Sequence, residues 1–139
     1  VKTIAEIIEN LKRTKEVLKE RGRTTGKLVD PETGCACLLG GIGIAVVGDA
    51  FLESADAEGW IDDYSPFYPN GAARAEVLAL LDVMTDDELR HLGYSRYDTN
   101  DCTVFRYNDN YAAGGELGDE KVFGLIDRAV ADLEGRVAA

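Results

Sequence analysis

A cysteine heading an apolar run is the first residue in this chain that could do covalent chemistry. Cys37 opens Cys-Leu-Leu-Gly-Gly-Ile-Gly-Ile-Ala-Val-Val, residues 37–47. At a helix N-terminus the dipole would lower its pKa and favour the thiolate. A nucleophilic thiol also needs a base, normally His, and an Asn or Asp to orient that base. Asn108 and Asp109 are of the orienting type, but the one histidine, His91, falls on a short polar stretch. The pattern therefore reads first as structure. Cys37 is a small core residue, Gly40 permits close packing, and Asn108-Asp109 hydrogen-bond free N–H groups at the start of the Cys37 helix. A cysteine-dependent enzyme using Cys37 is the second reading.

Metal and nucleotide chemistry find less support. Asp98-x-Asn100-x-Cys102 begins like a calcium loop, but Thr103 stands where the glycine belongs and Asp109 where the closing Glu belongs. Zinc needs four ligands, and three scattered cysteines with one histidine make a poor set. Gly40-Gly41-x-Gly43 has neither the spacing nor the Lys of a phosphate loop. No cofactor and no metal are expected.

The remaining candidate is an interaction surface. Trp60, Tyr64, Phe67 and Tyr68 stand among Asp56, Glu58, Asp62 and Asp63 in a long irregular segment, residues 48–71. Aromatics are favoured interface anchors, so Trp60, Asp62, Asp63, Tyr64, Phe67 and Tyr68 are the expected binding residues. The competing reading folds the same aromatics back onto the domain's own core.

These residues need elements to position them. Residues 3–21 read as an amphipathic helix, with Thr3 and Glu6 as a capping box and Gly22 as its stop. Asp30-Pro31-Glu32-Thr33-Gly34 is a turn that would join two short strands, giving a small hairpin near residues 24–36. Residues 37–47 are apolar on nearly every face, as a central helix would be; a buried strand is the alternative. Helices follow at 72–83 and 86–92, the second with Thr85 and Glu88 as a capping box and Gly93 as its stop. Residues 94–115 read as loop. A last helix runs 120–134, with Asp119 as N-cap and Gly135 as stop.

Bulk composition narrows the partners. The chain has 139 residues, 45% hydrophobic and 29% charged, which suits one folded domain. Net charge is -11. Residues 1–28 hold eight Lys/Arg and four Asp/Glu, whereas residues 29–139 hold seven Lys/Arg against twenty-two Asp/Glu. So acidic a body repels phosphate backbones, so direct nucleic-acid binding is not expected. No stretch approaches the ~18 apolar residues of a membrane span, and none reads as a signal peptide. Three cysteines, Cys35, Cys37 and Cys102, suit reduced thiols in a cytoplasmic protein.

The motifs together resemble a family of small actinobacterial and actinophage proteins of unknown function. The resemblance lies in Arg21-Gly22, Thr24-Thr25-Gly26, Cys37-Leu38-Leu39-Gly40-Gly41, Tyr107-Asn108-Asp109 and Val122 to Ala129. It covers roughly residues 8–47 and 104–133. Tyr107 stands where the family pattern has Trp, and Gly41 where it has Ala. The resemblance implies no activity; it implies a bacterial or phage source.

The expected fold is mainly α, with four to five helices around the Gly-rich central helix. The expected function is a non-enzymatic protein-binding module, an accessory or phage-encoded factor that engages a host protein, the partner being basic. A structural or self-associating protein is the third reading; the oligomeric state is not assigned.

Overall fold

A capping box fixes the start of the first helix. In this computed structural model, which describes residues 2–54 and 64–138, α1 spans Ile4–Arg21. Thr3 accepts from the Glu6 N–H, and the Glu6 carboxylate accepts from the Thr3 N–H. Gly22 ends the helix at φ +84°, a backbone region open to glycine, and its N–H closes onto the Leu18 carbonyl. Leu11, Thr14 and Leu18 form the buried stripe.

Helix α2, Leu38–Val46, carries the apolar run and sits in the middle of the molecule. It packs against α1 most extensively, then against α3 (Asp49–Glu53), α4 (Arg74–Val83) and α6 (Asp101–Arg106). Seven of its nine residues are buried, which is why its glycines are needed. A Cβ on Gly40 would collide with the backbone carbonyl of Leu28; one on Gly41 would come within 3.0 Å of Leu18 Cδ2. Neighbouring backbone and side chains occupy the space that larger residues would claim.

Among the described residues the fold has seven α-helices and no strand. It is mainly helical as expected, but the count of four to five helices and the hairpin are corrected. Residues 24–36 make only isolated bridges, Arg23 with Ala36 and Val29 with Ala36. The reason is local: each pairing is one residue long before the Cys37 N–H turns to the Leu28 carbonyl and α2 begins. The turn itself forms, with the Gly34 N–H on the Asp30 carbonyl at 2.8 Å.

The extra helices lie in stretches that read as loop. Helix α3 and a 3₁₀ turn, Ser65–Phe67, fall within 48–71. Helix α6 and the π-turn Tyr107–Tyr111 fall within 94–115. Asn100 caps α6, accepting from the Cys102 N–H at 2.8 Å. Helix α5, Asp86–Leu92, follows its capping box as expected. Helix α7 runs Glu116–Ala138, longer at both ends than the expected 120–134. Asp119 lies inside it and not at its cap. Gly135 does not stop it, because Arg136 pairs back to Asp132 at 2.8 Å and carries the helix on.

Candidate functional site

Two neighbouring places meet at the first turn of α2. The first is a polar clasp. Residues 107–111 form a π-turn, the Ala112 N–H reaching the Tyr107 carbonyl at 2.9 Å. Such wide turns mark functional or strained positions more often than chance. Here the turn buries both Tyr107 and Asn108. Asn108 Oδ1 accepts from the Leu38 N–H at 3.2 Å and from Arg23 Nη1 at 3.1 Å. Its Nδ2 donates to the Thr24 carbonyl at 2.9 Å and to Asp109 Oδ1 at 2.8 Å. The Asp109 carboxylate accepts from the Gly26 N–H at 2.8 Å through its other oxygen. Asn108 thus meets an orphan donor at the start of α2, while Asp109 holds the connector loop and not α2.

Arg23 ties this turn to α7. Its Nε donates to Asp119 Oδ1 at 2.7 Å, its Nη1 also to the Asn108 carbonyl at 3.1 Å, and its Nη2 to the Ala113 carbonyl. The Arg23 side chain is 2% exposed, so this is a buried charge held by an acid and by carbonyls. Among the described residues no buried side-chain nitrogen or oxygen lacks a hydrogen bond.

Cys37 belongs to the clasp as an N-cap. Its Sγ accepts from the Gly40 N–H at 3.3 Å, and the thiol is wholly buried. The expectation of a lowered pKa is corrected. Burial pushes the thiol up to about 12, with the Asp109 carboxylate adding to the rise and the Gly40 N–H opposing it. Desolvation of a thiolate outweighs the dipole of a nine-residue helix. His91, on α5, is exposed and sets its ring edge-on to Tyr111 at 5.4 Å. Tyr107 donates its hydroxyl to buried Glu88 at 3.0 Å, which also holds Arg128 at 2.8 Å. Burial and the Glu88 charge raise the Tyr107 pKa.

The second place is an apolar groove of about 270 Å³, lined among the described residues by Leu39, Tyr64, Tyr68, Asp101, Cys102 and Phe105. Leu39, in the first turn of α2, is 2% exposed. The aromatic wall is anchored from behind. The Ala73 N–H reaches the Pro66 carbonyl at 2.7 Å, and Arg74 Nη1 reaches the Phe67 carbonyl at 3.0 Å.

The expected binding residues divide here. Tyr64 is half-buried and Tyr68 is 49% exposed, both on the groove. Phe67 is corrected: it is wholly buried, edge-on to Phe51 at 5.8 Å, and presents nothing to a partner. Its neighbours along the turn face outward while it plugs the core. Trp60, Asp62 and Asp63 lie outside the described residues. Sequence reading missed Leu39, Asp101, Cys102 and Phe105 as groove residues and Arg23 and Asp119 as clasp residues. Only Arg23 left a signal, a cation set one residue past the helix-ending glycine. Among the described residues no group of Asp, Glu, His and Cys could hold a metal ion, and no helix is long and apolar enough to cross a membrane.

Residues 3–132 match the family of unknown function DUF6197, and the chain belongs to that family. No curated protein and no solved structure matches it.

Proposed function

We propose that this member of the DUF6197 family is a non-enzymatic binding module that engages a basic protein through the groove bounded by Tyr64 and Tyr68. One observation carries the reading: an apolar, aromatic-walled groove with a carboxylate, Asp101, in its lining, on a body whose residues 29–139 hold twenty-two acids against seven bases. Tyrosines offer apolar area and a polar tip at once, which suits a surface that is wet when free and dry when bound. The acidic body favours a cationic partner and speeds its approach.

The alternative of a cysteine enzyme is weakened by the state of Cys37. A buried thiol raised to about 12 holds almost no thiolate near neutral pH, and its sulfur is already an acceptor for Gly40. Three free cysteines fit a reducing, cytoplasmic setting, and the role of an accessory factor in a bacterium or phage fits the small size.

Comparative capture tests the reading. The full chain and its Tyr68→Ser variant are immobilised, and bacterial proteins retained by the first and not the second are identified. Each is then purified and titrated directly. A basic protein whose binding weakens with Tyr68→Ser, and whose association slows as salt rises to about 0.15 M, is the expected result. Partners that bind both forms equally, or binding indifferent to salt, would remove the groove or the charge from the account.

A further inference from the structure

The groove is small and suits part of a ligand. Drug-sized and cofactor pockets run roughly 300–1,000 Å³. At about 270 Å³ this one falls below that range. We propose that it takes a single bulky aliphatic or aromatic side chain from the partner, on a segment whose flanking residues are Lys or Arg. The proposal rests on the groove being the docking face, and adds what the face recognises.

The lining dictates the apolar centre. Leu39 lies beneath, two tyrosines stand at the sides, and Cys102 and Phe105 come from α6, so the described residues of the lining set one carboxylate among apolar and aromatic groups. A polar side chain placed there would lose its water without finding partners. Leu39 is held firmly, because the preceding residue, Leu38, gives its N–H to buried Asn108 and α2 is pinned between α1 and α4. A seat already ordered spares the complex part of its ordering cost.

Charge dictates the flanks. Asp101, the first residue of α6, is the one ionised group that the described residues bring to the lining, and its carboxylate adds to the forces that raise the Tyr64 and Cys102 pKa values. The one cation of α6, Arg106, is set over the Tyr94 ring at 5.8 Å. A partner with acids beside its anchor would meet Asp101 and the acidic body as like charges; one with Lys or Arg would gain from both.

Cys102, exposed on the groove, gives a built-in reporter, and half-buried Cys35 gives the control. Three thiol probes, the cysteamine amides of acetylated Arg-Leu-Arg, Arg-Gly-Arg and Glu-Leu-Glu, are equilibrated with the full chain in a thiol redox buffer. Mass spectrometry reads the disulfide formed at each cysteine. Arg-Leu-Arg should label Cys102 about tenfold more than either other probe, equivalent to about 1.4 kcal/mol of selective contact. Tyr68→Ser should erase that preference without unfolding the chain, since Tyr68 is half exposed. Equal labelling by Arg-Leu-Arg and Arg-Gly-Arg would overturn the apolar seat. A preference for Arg-Leu-Arg that is as large at Cys35 would overturn the groove as its source. Either result would sink this inference even where Tyr68-dependent capture of a basic protein leaves the docking reading standing.

Discussion

Asn108 and Tyr68 both border the first turn of α2, one against Leu38 and the other around Leu39. Asn108 is wholly buried and uses its carbonyl oxygen twice and its amide nitrogen twice. Tyr68 keeps half its surface in water beside an apolar groove. The clasp holds its polar groups among themselves and so orders the fold. The groove leaves apolar surface uncovered among the described residues, although Leu39, Tyr64 and Phe105 also pack in or against the core. Of the residues that look most like chemistry in the sequence, Cys37 and Asn108 are wholly buried and Asp109 is partly so.

Mutations sharpen that contrast. The largest effect belongs to Phe67→Ala, which would leave a hole beside Phe51 and cost about 3–5 kcal/mol in urea denaturation. A loss under about 1 kcal/mol would return Phe67 to the exposed aromatic face. Gly40→Leu should cost more than about 2 kcal/mol, because the new side chain meets the Leu28 carbonyl, which is backbone and cannot swing aside. Asn108→Ala strands the Leu38 N–H and one bond of Arg23 inside the protein, and should cost about 1–3 kcal/mol. Asp109→Ala removes one acceptor of the Asn108 amide, which keeps the Thr24 carbonyl, and the partner of the exposed Gly26 N–H, and should cost less, within about 0.5–2 kcal/mol. If the two ranked the other way, the connector loop and not α2 would be what the clasp secures.

The helices α1 and α5 are legible because each capping box is complete within four consecutive residues, Thr3 to Glu6 and Thr85 to Glu88. The glycine-rich run reads as a buried helix for a similar reason, since its apolarity on every side needs no distant information. Helix α6 is not legible. It is six residues long, capped by Asn100 with Thr103 in place of Glu or Gln, and fixed by burial of Thr103 and Val104. Tertiary contact supplies what propensity lacks. Arg23 is hidden for another reason: its partners lie 85, 90 and 96 residues along the chain. The Cys37 pKa was misread because the dipole is visible in the sequence and full burial is not. The groove is the least legible, since it is assembled from three separated segments.

Acid should loosen the molecule at a third point, the buried carboxylate of Glu88. Glu88 joins α5 to Tyr107 and to Arg128 on α7. Burial disfavours its charge, but the Thr85 N–H, Arg128 and the Tyr107 hydroxyl together hold its carboxyl below the ordinary range. A lowered folded-state pKa means that the stabilisation is present above the unfolded-state value and is lost as pH falls through the folded one. Urea midpoints should therefore decline as pH drops below the usual carboxyl range, and Glu88→Gln should flatten part of that decline. An identical slope in the variant would show that other carboxylates carry the acid limb.

The smallest effect on stability should come from Tyr68→Ala, and its smallness is the point. Tyr68 directly follows Phe67, yet its side chain is 49% exposed where Phe67 shows none. Its backbone bonds in the turn, from its N–H to the Ser65 carbonyl at 3.2 Å and from the Gly71 N–H to its own carbonyl at 2.8 Å, survive truncation of the side chain. Substitutions at such positions usually change stability by less than about 0.5 kcal/mol. The melting temperature should hardly move, while one wall of the groove is lost. Adjacent alanines would then separate the two regions within one turn: the first lowers the denaturation midpoint, the second leaves it and weakens binding of the partner. A Tyr68→Ala midpoint that falls as far as that of Phe67→Ala would mean that Tyr68 supports the core. The groove would then be a packing edge of the fold, with no surface set aside for a partner.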